Sequence, residues 1–186
     1  MPTFPRKIVV LDRDGVINAD SDAFIKSPDE WVALPGSLEA IARLNQAGYR
    51  VAVATNQSGI GRGLFDMAAL NAMHMKMHRA AAAVGGRIDA VFFCPHTAQD
   101  HCECRKPKPG MLKMIAERFE LDPSHTPSVG DALRDLQASA AIGLQPHLVL
   151  TGKGRKTLAA GGLPEGTKVH EDLRAFALDF LAEEHE

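Results

Sequence analysis

The sequence predicts an α/β fold, a doubly wound parallel sheet with helices on both faces. Three observations point there. Short apolar runs of strand length alternate with longer stretches of helical period along the 186 residues. The first run, Ile8 to Leu11, is apolar without a break, as suits a strand buried on both faces. Several runs stop at polar, glycine-containing turns, and a parallel sheet gathers such turns at its carboxyl edge.

The first strand stops at Asp12, and a second carboxylate, Asp14, follows just before Gly15. Two carboxylates so close repel unless a cation or a shared proton compensates, although a solvated Asp-x-Asp-Gly turn has the same letters. Residues 19–33, rich in Asp and Ser and holding the only Trp, read as a loop beside the site. Pro35-Gly36-Ser37 opens a helix over 38–46, with Leu38, Ile41 and Leu44 on one face and Gly48 as its stop. The second strand, 50–54, closes on the turn Thr55-Asn56-Gln57-Ser58-Gly59. A long helix over 66–84 follows. Its Met67, Met73, Met75 and Met77 read as adaptable core filler, and His74 and His78 as ordinary helix surface with no third ligand near.

Residues 88–93 make the third strand and open into a cysteine-rich insert. Pro109 sits at the first turn of a helix over 109–119. A fourth strand around 127–129 leads through Gly130-Asp131 to a helix over 133–141, and 146–150 is the fifth strand. Residues 151–166, rich in Gly and Lys, read as a mobile loop or short helix. Lys168-Val169 forms a short sixth strand, and a helix over 172–184 closes the chain.

Length and composition bound the rest. The whole chain, 1–186, is one domain's worth, and 45% hydrophobic with 24% charged residues is ordinary globular composition. A net charge of -2 gives no reason to expect nucleic acid or an anionic membrane as partner. No apolar run approaches a membrane span, and Met1 to Pro5 lacks a signal-peptide core, so a cytoplasmic protein is expected. No heptad or large apolar face demands assembly, so a monomer is expected.

Four strand ends carry polar residues that one crevice would collect: Asp12 with Asp14, Thr55 to Ser58, Arg105 to Lys108, and Asp131 with Asp135. Asp12, Asp14 and Asp131 offer hard oxygen ligands suited to Mg²⁺. Thr55 and the amides of its turn can donate to phosphate oxygens, and Lys106 can offset phosphoryl charge. Singly, each is as easily a turn or a solvated side chain; the set and its order are what carry weight.

The motifs at 11–18, 55–63, 104–111 and 129–131 resemble those of the haloacid dehalogenase superfamily. More narrowly, they are similar to the branch of heptose bisphosphate and histidinol-phosphate phosphatases. The resemblance implies a Rossmann-like domain without a large cap, since too few residues separate Asn18 from Pro35. It implies Asp12 as the nucleophile that becomes an aspartyl-phosphate, Asp14 as general acid and then base, and Thr55 and Lys106 as phosphoryl stabilisers. Mg²⁺ is expected on Asp12, the Asp14 backbone carbonyl and Asp131. Asp20, Ser21, Asp22 and Ala23 match substrate-contacting positions, as does Arg105, with Asn56, Gln57 and Ser58 on the phosphate turn. Arg62 and Lys108 are further cations for a second phosphate. One departure is Ala132, where the family often has Lys; Arg134 is a nearby cation, and Asp135 falls where a helix turns it back toward the metal through water.

The insert spaces Cys94 and His96 one residue apart, then Cys102 and Cys104. Four soft ligands in so short a span suit a closed, structural zinc tetrahedron, with buried thiols or substitution by His101 as alternatives. The residues point to phosphoryl chemistry with Mg²⁺, and the resemblance implies a phosphatase acting on a small phosphorylated sugar, at the 7-phosphate of a heptose 1,7-bisphosphate. Histidinol phosphate is the alternative substrate, and a zinc-stabilised binding module the non-enzyme alternative.

Overall fold

The computed structural model describes residues 6–184. The first five residues, in which no signal-peptide core was read, lie outside them. Six strands form one parallel sheet: β1 (Ile8–Leu11), β2 (Arg50–Asn56), β3 (Ala90–Cys94), β4 (Pro127–Gly130), β5 (Gln145–Val149) and β6 (Lys168–His170). The helices between and after them are α1 (Ser37–Gln46), α2 (Met67–Ala83), α3 (Gly110–Phe119), α4 (Leu133–Ala141), α5 (Gly154–Ala160) and α6 (Leu173–Glu183).

The unbroken apolar run of β1 serves two cores. Val9 and Leu11 pack with Ile41 and Leu44 of α1, Leu70 and Met73 of α2 and Phe176 of α6. Ile8 and Val10 face the other side, with Met111, Leu112 and Ile115 of α3 and Ala138 of α4. β2 divides in the same way, Val51 and Val53 against Ala52 and Ala54. Burying a Val, Leu or Ile side chain contributes about 1.5–3 kcal/mol, so both helical layers are held on by this pair of strands.

Strand order is β3-β2-β1-β4-β5-β6. The chain walks one way from β1 to β3 and then back past β1 to β4, so a crevice opens where β1 and β4 part. Asp12 and Asp131 are the residues that leave these two strands.

Element boundaries shift where side chains intervene. Ile88 is buried outside β3, because Asp89 uses its carboxylate on the Val51 N–H (2.9 Å) before the strand begins. β3 instead runs on to Cys94, and β2 extends with it through Thr55 and Asn56. Asp66 is the N-cap of α2, accepting from the Ala69 N–H at 2.8 Å. Of the four α2 methionines, Met73 and Met77 are in the core, but Met67 and Met75 are exposed. His74 also departs from expectation: it is buried, not on the helix surface.

Candidate active site

Asp12 and Asp131 enter the crevice from adjacent strands, and Asp135 joins them from the first turn of α4. Single carboxylate oxygens of the three lie within 4.8 Å of one another. All three residues are buried. Burial first, and the Asp135 charge second, push Asp12 up to about 7 and Asp131 up to about 8. Burial would also raise Asp135, but Lys106 and Arg134 outweigh it and hold its carboxyl below the usual range.

Lys106 is the cation of the cluster. Its Nζ reaches Asp12 Oδ1 at 3.1 Å, Asp135 Oδ1 at 2.7 Å and the Ala54 carbonyl at 2.7 Å, which uses all three ammonium donors. Burial disfavours that charge, yet Asp12 and Asp135 overcome it and raise the lysine above its ordinary value. The Lys106 backbone is held in turn by Asn56, whose Oδ1 accepts the Lys106 N–H (3.0 Å) and whose Nδ2 donates to the Lys106 carbonyl (3.1 Å). Three converging, buried carboxylates against one ammonium leave negative charge that a hard divalent cation fits.

The Asp14 carboxylate is not part of this cluster. Its Oδ1 accepts from Arg13 Nε (3.1 Å), Arg13 Nη2 (2.8 Å) and Asn18 Nδ2 (2.8 Å), while Oδ2 accepts from Gln57 Nε2 (2.9 Å). Two carboxylates two residues apart therefore have different surroundings, one amid acids and a lysine, the other amid fixed donors. Gln57 spends its amide on Asp14 and on Thr55 Oγ1 (2.9 Å), which puts the Thr55 hydroxyl behind the wall of the cleft.

The cleft is lined by Asp12, Asp14, Asp20, Ser21, Asp22, Asn56, Gln57, Ser58, Arg105 and Lys106 from the sequence reading. Ala23 is exposed and off the wall; Phe24 and Ile25 take its place. Arg62 lines it too, its guanidinium over the Phe24 ring at 5.7 Å. Lys108 does not, being paired with Glu103 at 2.8 Å. Arg134 faces the cleft, and its buried Nε has no hydrogen-bond partner among the described residues.

Sequence reasoning missed the far wall. Residues 151–153, read as the start of a mobile loop, bind the site. The Lys153 N–H donates to Asp131 Oδ2 (2.8 Å), Thr151 Oγ1 to the Gly15 carbonyl (2.6 Å), and Lys153 Nζ lies 3.4 Å from Asp20. Their position after a sheet strand, at its carboxyl end, was the available signal.

Beside Lys106, Cys94 Sγ, His96 Nδ1, Cys102 Sγ and Cys104 Sγ gather within 4.8 Å. The three thiols are free, at sulfur–sulfur separations of 3.0 to 3.6 Å. Zinc–sulfur bonds of about 2.3 Å at tetrahedral corners put sulfurs about 3.8 Å apart, so this cradle closes on a zinc ion with little movement. Arg105 Nη1 donates to the His96 carbonyl at 3.4 Å, tying the loop to the cleft.

The profile of the haloacid dehalogenase-like hydrolases matches residues 6–143. The D-glycero-β-D-manno-heptose-1,7-bisphosphate 7-phosphatase of Bordetella bronchiseptica is 64% identical over 177 residues, covering 95% of this chain and 99% of that one. Its namesake from Pseudomonas aeruginosa is 54% identical over 176 residues, covering 95% and 98%. The crystal structure of D,D-heptose 1,7-bisphosphate phosphatase from B. bronchiseptica, complexed with magnesium and phosphate, superposes with a TM-score of 0.94 over 95% of this chain and 99% of that one, at 64% identity. The corresponding Burkholderia thailandensis structure is 73% identical over the same shares, with a TM-score of 0.77. Motifs, strand order and similarity along nearly the full length agree, and the chain belongs to the haloacid dehalogenase-like hydrolases.

Proposed function

We propose that this chain is a magnesium-dependent phosphomonoesterase acting on D-glycero-β-D-manno-heptose 1,7-bisphosphate. It removes the 7-phosphate through an aspartyl-phosphate on Asp12, in nucleotide-heptose synthesis for the lipopolysaccharide core. The observation that carries the mechanism is the contrast between Asp12 and Asp14. Lys106 holds Asp12 in place, and the Asp12 oxygen attacks phosphorus as the bond to the sugar O7 breaks. Asp14, oriented by donors on both oxygens, gives its proton to the departing O7. It then takes a proton from the water that attacks the aspartyl-phosphate, which releases phosphate and restores the Asp12 carboxylate and the protonated Asp14. Mg²⁺, held by Asp12, Asp131 and the Asp14 carbonyl, supplies charge neutralisation between the Asp12 carboxylate and the anionic phosphoryl group. Zinc on Cys94, His96, Cys102 and Cys104 keeps Arg105 and Lys106 in place.

Asp20 and Asp22 share the cleft wall with Arg62, Arg105, Arg134 and Lys153; Lys153 pairs with Asp20, and the three arginines suit a second phosphate remote from the reacting one. Histidinol phosphate carries an ammonium there, which the three arginines repel, while Asp20 and Asp22 are the groups that would receive it or a sugar hydroxyl. With no heptad or large apolar face demanding assembly, the enzyme acts as a monomer, and cysteines held reduced suit the cytoplasm. No helix among the described residues is long and apolar enough to cross a membrane.

The test is kcat/KM on the β and α anomers of the heptose bisphosphate and on histidinol phosphate, for wild type, Arg105→Ala and Asp12→Asn. The β bisphosphate is expected to lead histidinol phosphate by more than about tenfold, since charge-assisted contacts contribute about 1.5–3 kcal/mol. Arg105→Ala narrows that lead, and Asp12→Asn is inactive while folded. A preference for histidinol phosphate sinks the substrate; an active Asp12→Asn sinks the mechanism.

A further inference from the structure

Arg13 follows the proposed nucleophile directly, yet its side chain is fully buried and cannot meet the substrate. It makes three contacts, and their arrangement is informative. Nε and Nη2 both point at Asp14 Oδ1, while Nη1 lies 3.2 Å from His74 Nε2 on α2. A guanidinium can only donate, so the imidazole must accept through Nε2. The helix that presents His74 is anchored on either side of it by Met73 and Met77 in the core.

We infer that His74 is a positioning residue for the acid–base carboxylate: by holding Arg13 Nη1, it fixes the plane in which Arg13 grips Asp14 Oδ1. With Asn18 as a third donor, Oδ1 has no capacity left, whereas Oδ2 meets only Gln57 and keeps a lone pair toward the cleft. The proton therefore moves through Oδ2. As the Asp12 oxygen–phosphorus bond forms and the phosphorus–alcohol bond breaks, that proton passes from Oδ2 to the alcohol oxygen and leaves Asp14 ionised. Without the His74 acceptor, Nη1 is a buried donor with no partner, and the guanidinium turns to find one. Asp14 turns with it, and Oδ2 loses its aim.

This rests on the acid–base role proposed for Asp14, and the test separates the two. General-acid help matters for a sugar alkoxide and little for p-nitrophenolate, which leaves without a proton. kcat/KM is the parameter to compare, because it counts steps only through release of the alcohol. In the magnesium-loaded enzyme, His74→Leu is expected to lose about tenfold more kcat/KM on the heptose bisphosphate than on p-nitrophenyl phosphate, a part of the roughly 10²–10⁴-fold that general-acid catalysis supplies. His74→Gln, whose amide oxygen falls near the position of Nε2, should restore the wild-type ratio between the two substrates. Asp14→Asn should show the same bias more strongly. If His74→Leu misfolds, His74→Asn, too short to reach Arg13, reads the same ratio. An equal loss on both substrates, or no loss, overturns the role of His74. An Asp14→Asn variant without leaving-group bias overturns the acid–base reading itself.

Discussion

Asp131 is held between two glycines. Gly15 (φ +82°) and Gly152 (φ +54°) both lie in the left-handed region, and a Cβ on either would stand 2.1 or 2.2 Å from Asp131 Oδ2. No side chain can occupy either position without moving that carboxylate. We expect Gly152→Ala to destabilise the protein by about 2 kcal/mol, which for a chain of this size lowers Tm by roughly 4–8 °C. Magnesium affinity, measured by calorimetric titration, should fall with it, and an unchanged affinity would show that the clamp does not set the ligand. Gly15 stood in a recognisable motif next to two carboxylates. Gly152 did not: its neighbours Thr151 and Lys153 have ordinary loop composition, and only the fold brings them across from Asp131. His74 was illegible for a related reason, since its partner Arg13 is 61 residues away and nothing local marks that pairing.

The cysteine-rich loop shows how one element positions another. β3 delivers Cys94 at its last residue, and the Cys94 carbonyl accepts the Gln57 N–H at 2.7 Å, so the loop begins on the turn that follows β2. It ends at α3, where the Gly110 N–H donates to the Glu103 carbonyl at 3.0 Å; a Cβ on Gly110 would lie 2.3 Å from that oxygen. Between these anchors Cys94, His96, Cys102 and Cys104 draw the loop together, with Arg105 and Lys106 as the next two residues. Ligand spacing made the cluster readable from sequence, because Cys-x-His and Cys-x-Cys are local patterns. The start of β3 was not, because the Asp89 carboxylate takes the first bond of the ladder and no propensity reports that. We expect about one zinc per chain by elemental analysis, and Cys102→Ser to lower both Tm and kcat/KM, activity by about tenfold or more. A metal-free protein with normal Tm and rate would remove the loop's role.

At the scale of the whole molecule, the alternation of strands and helices was enough to read the sheet, because a parallel strand covered on both faces needs a run like Ile8 to Leu11. What periodicity does not reveal is which polar residues the two cores enclose. His147 of β5 lies under α6, its ring edge-on to Phe176 at 4.9 Å and its Nδ1 3.0 Å from His170 Nε2, while His170 Nδ1 meets Asp179 at 2.9 Å. Burial first, then the charges of His170 and Lys168, push His147 down to about 3. His74 shifts the same way, to about 4, through burial and then Arg13. Both stay neutral in the folded protein at pH values where the unfolded chain, with histidines near 6.5, takes up protons. The unfolded state thus binds more protons below that value. The stability these neutral histidines contribute is whole above about 6.5 and drains away as pH falls toward 4 and then 3. We expect Tm to drop as pH is lowered from 7 to 4.5, and His147→Leu to drop less over the same interval, since it has no proton to gain on unfolding. Differential scanning calorimetry at matched magnesium concentration measures both curves. Parallel curves would mean that His147 is not held neutral by the fold.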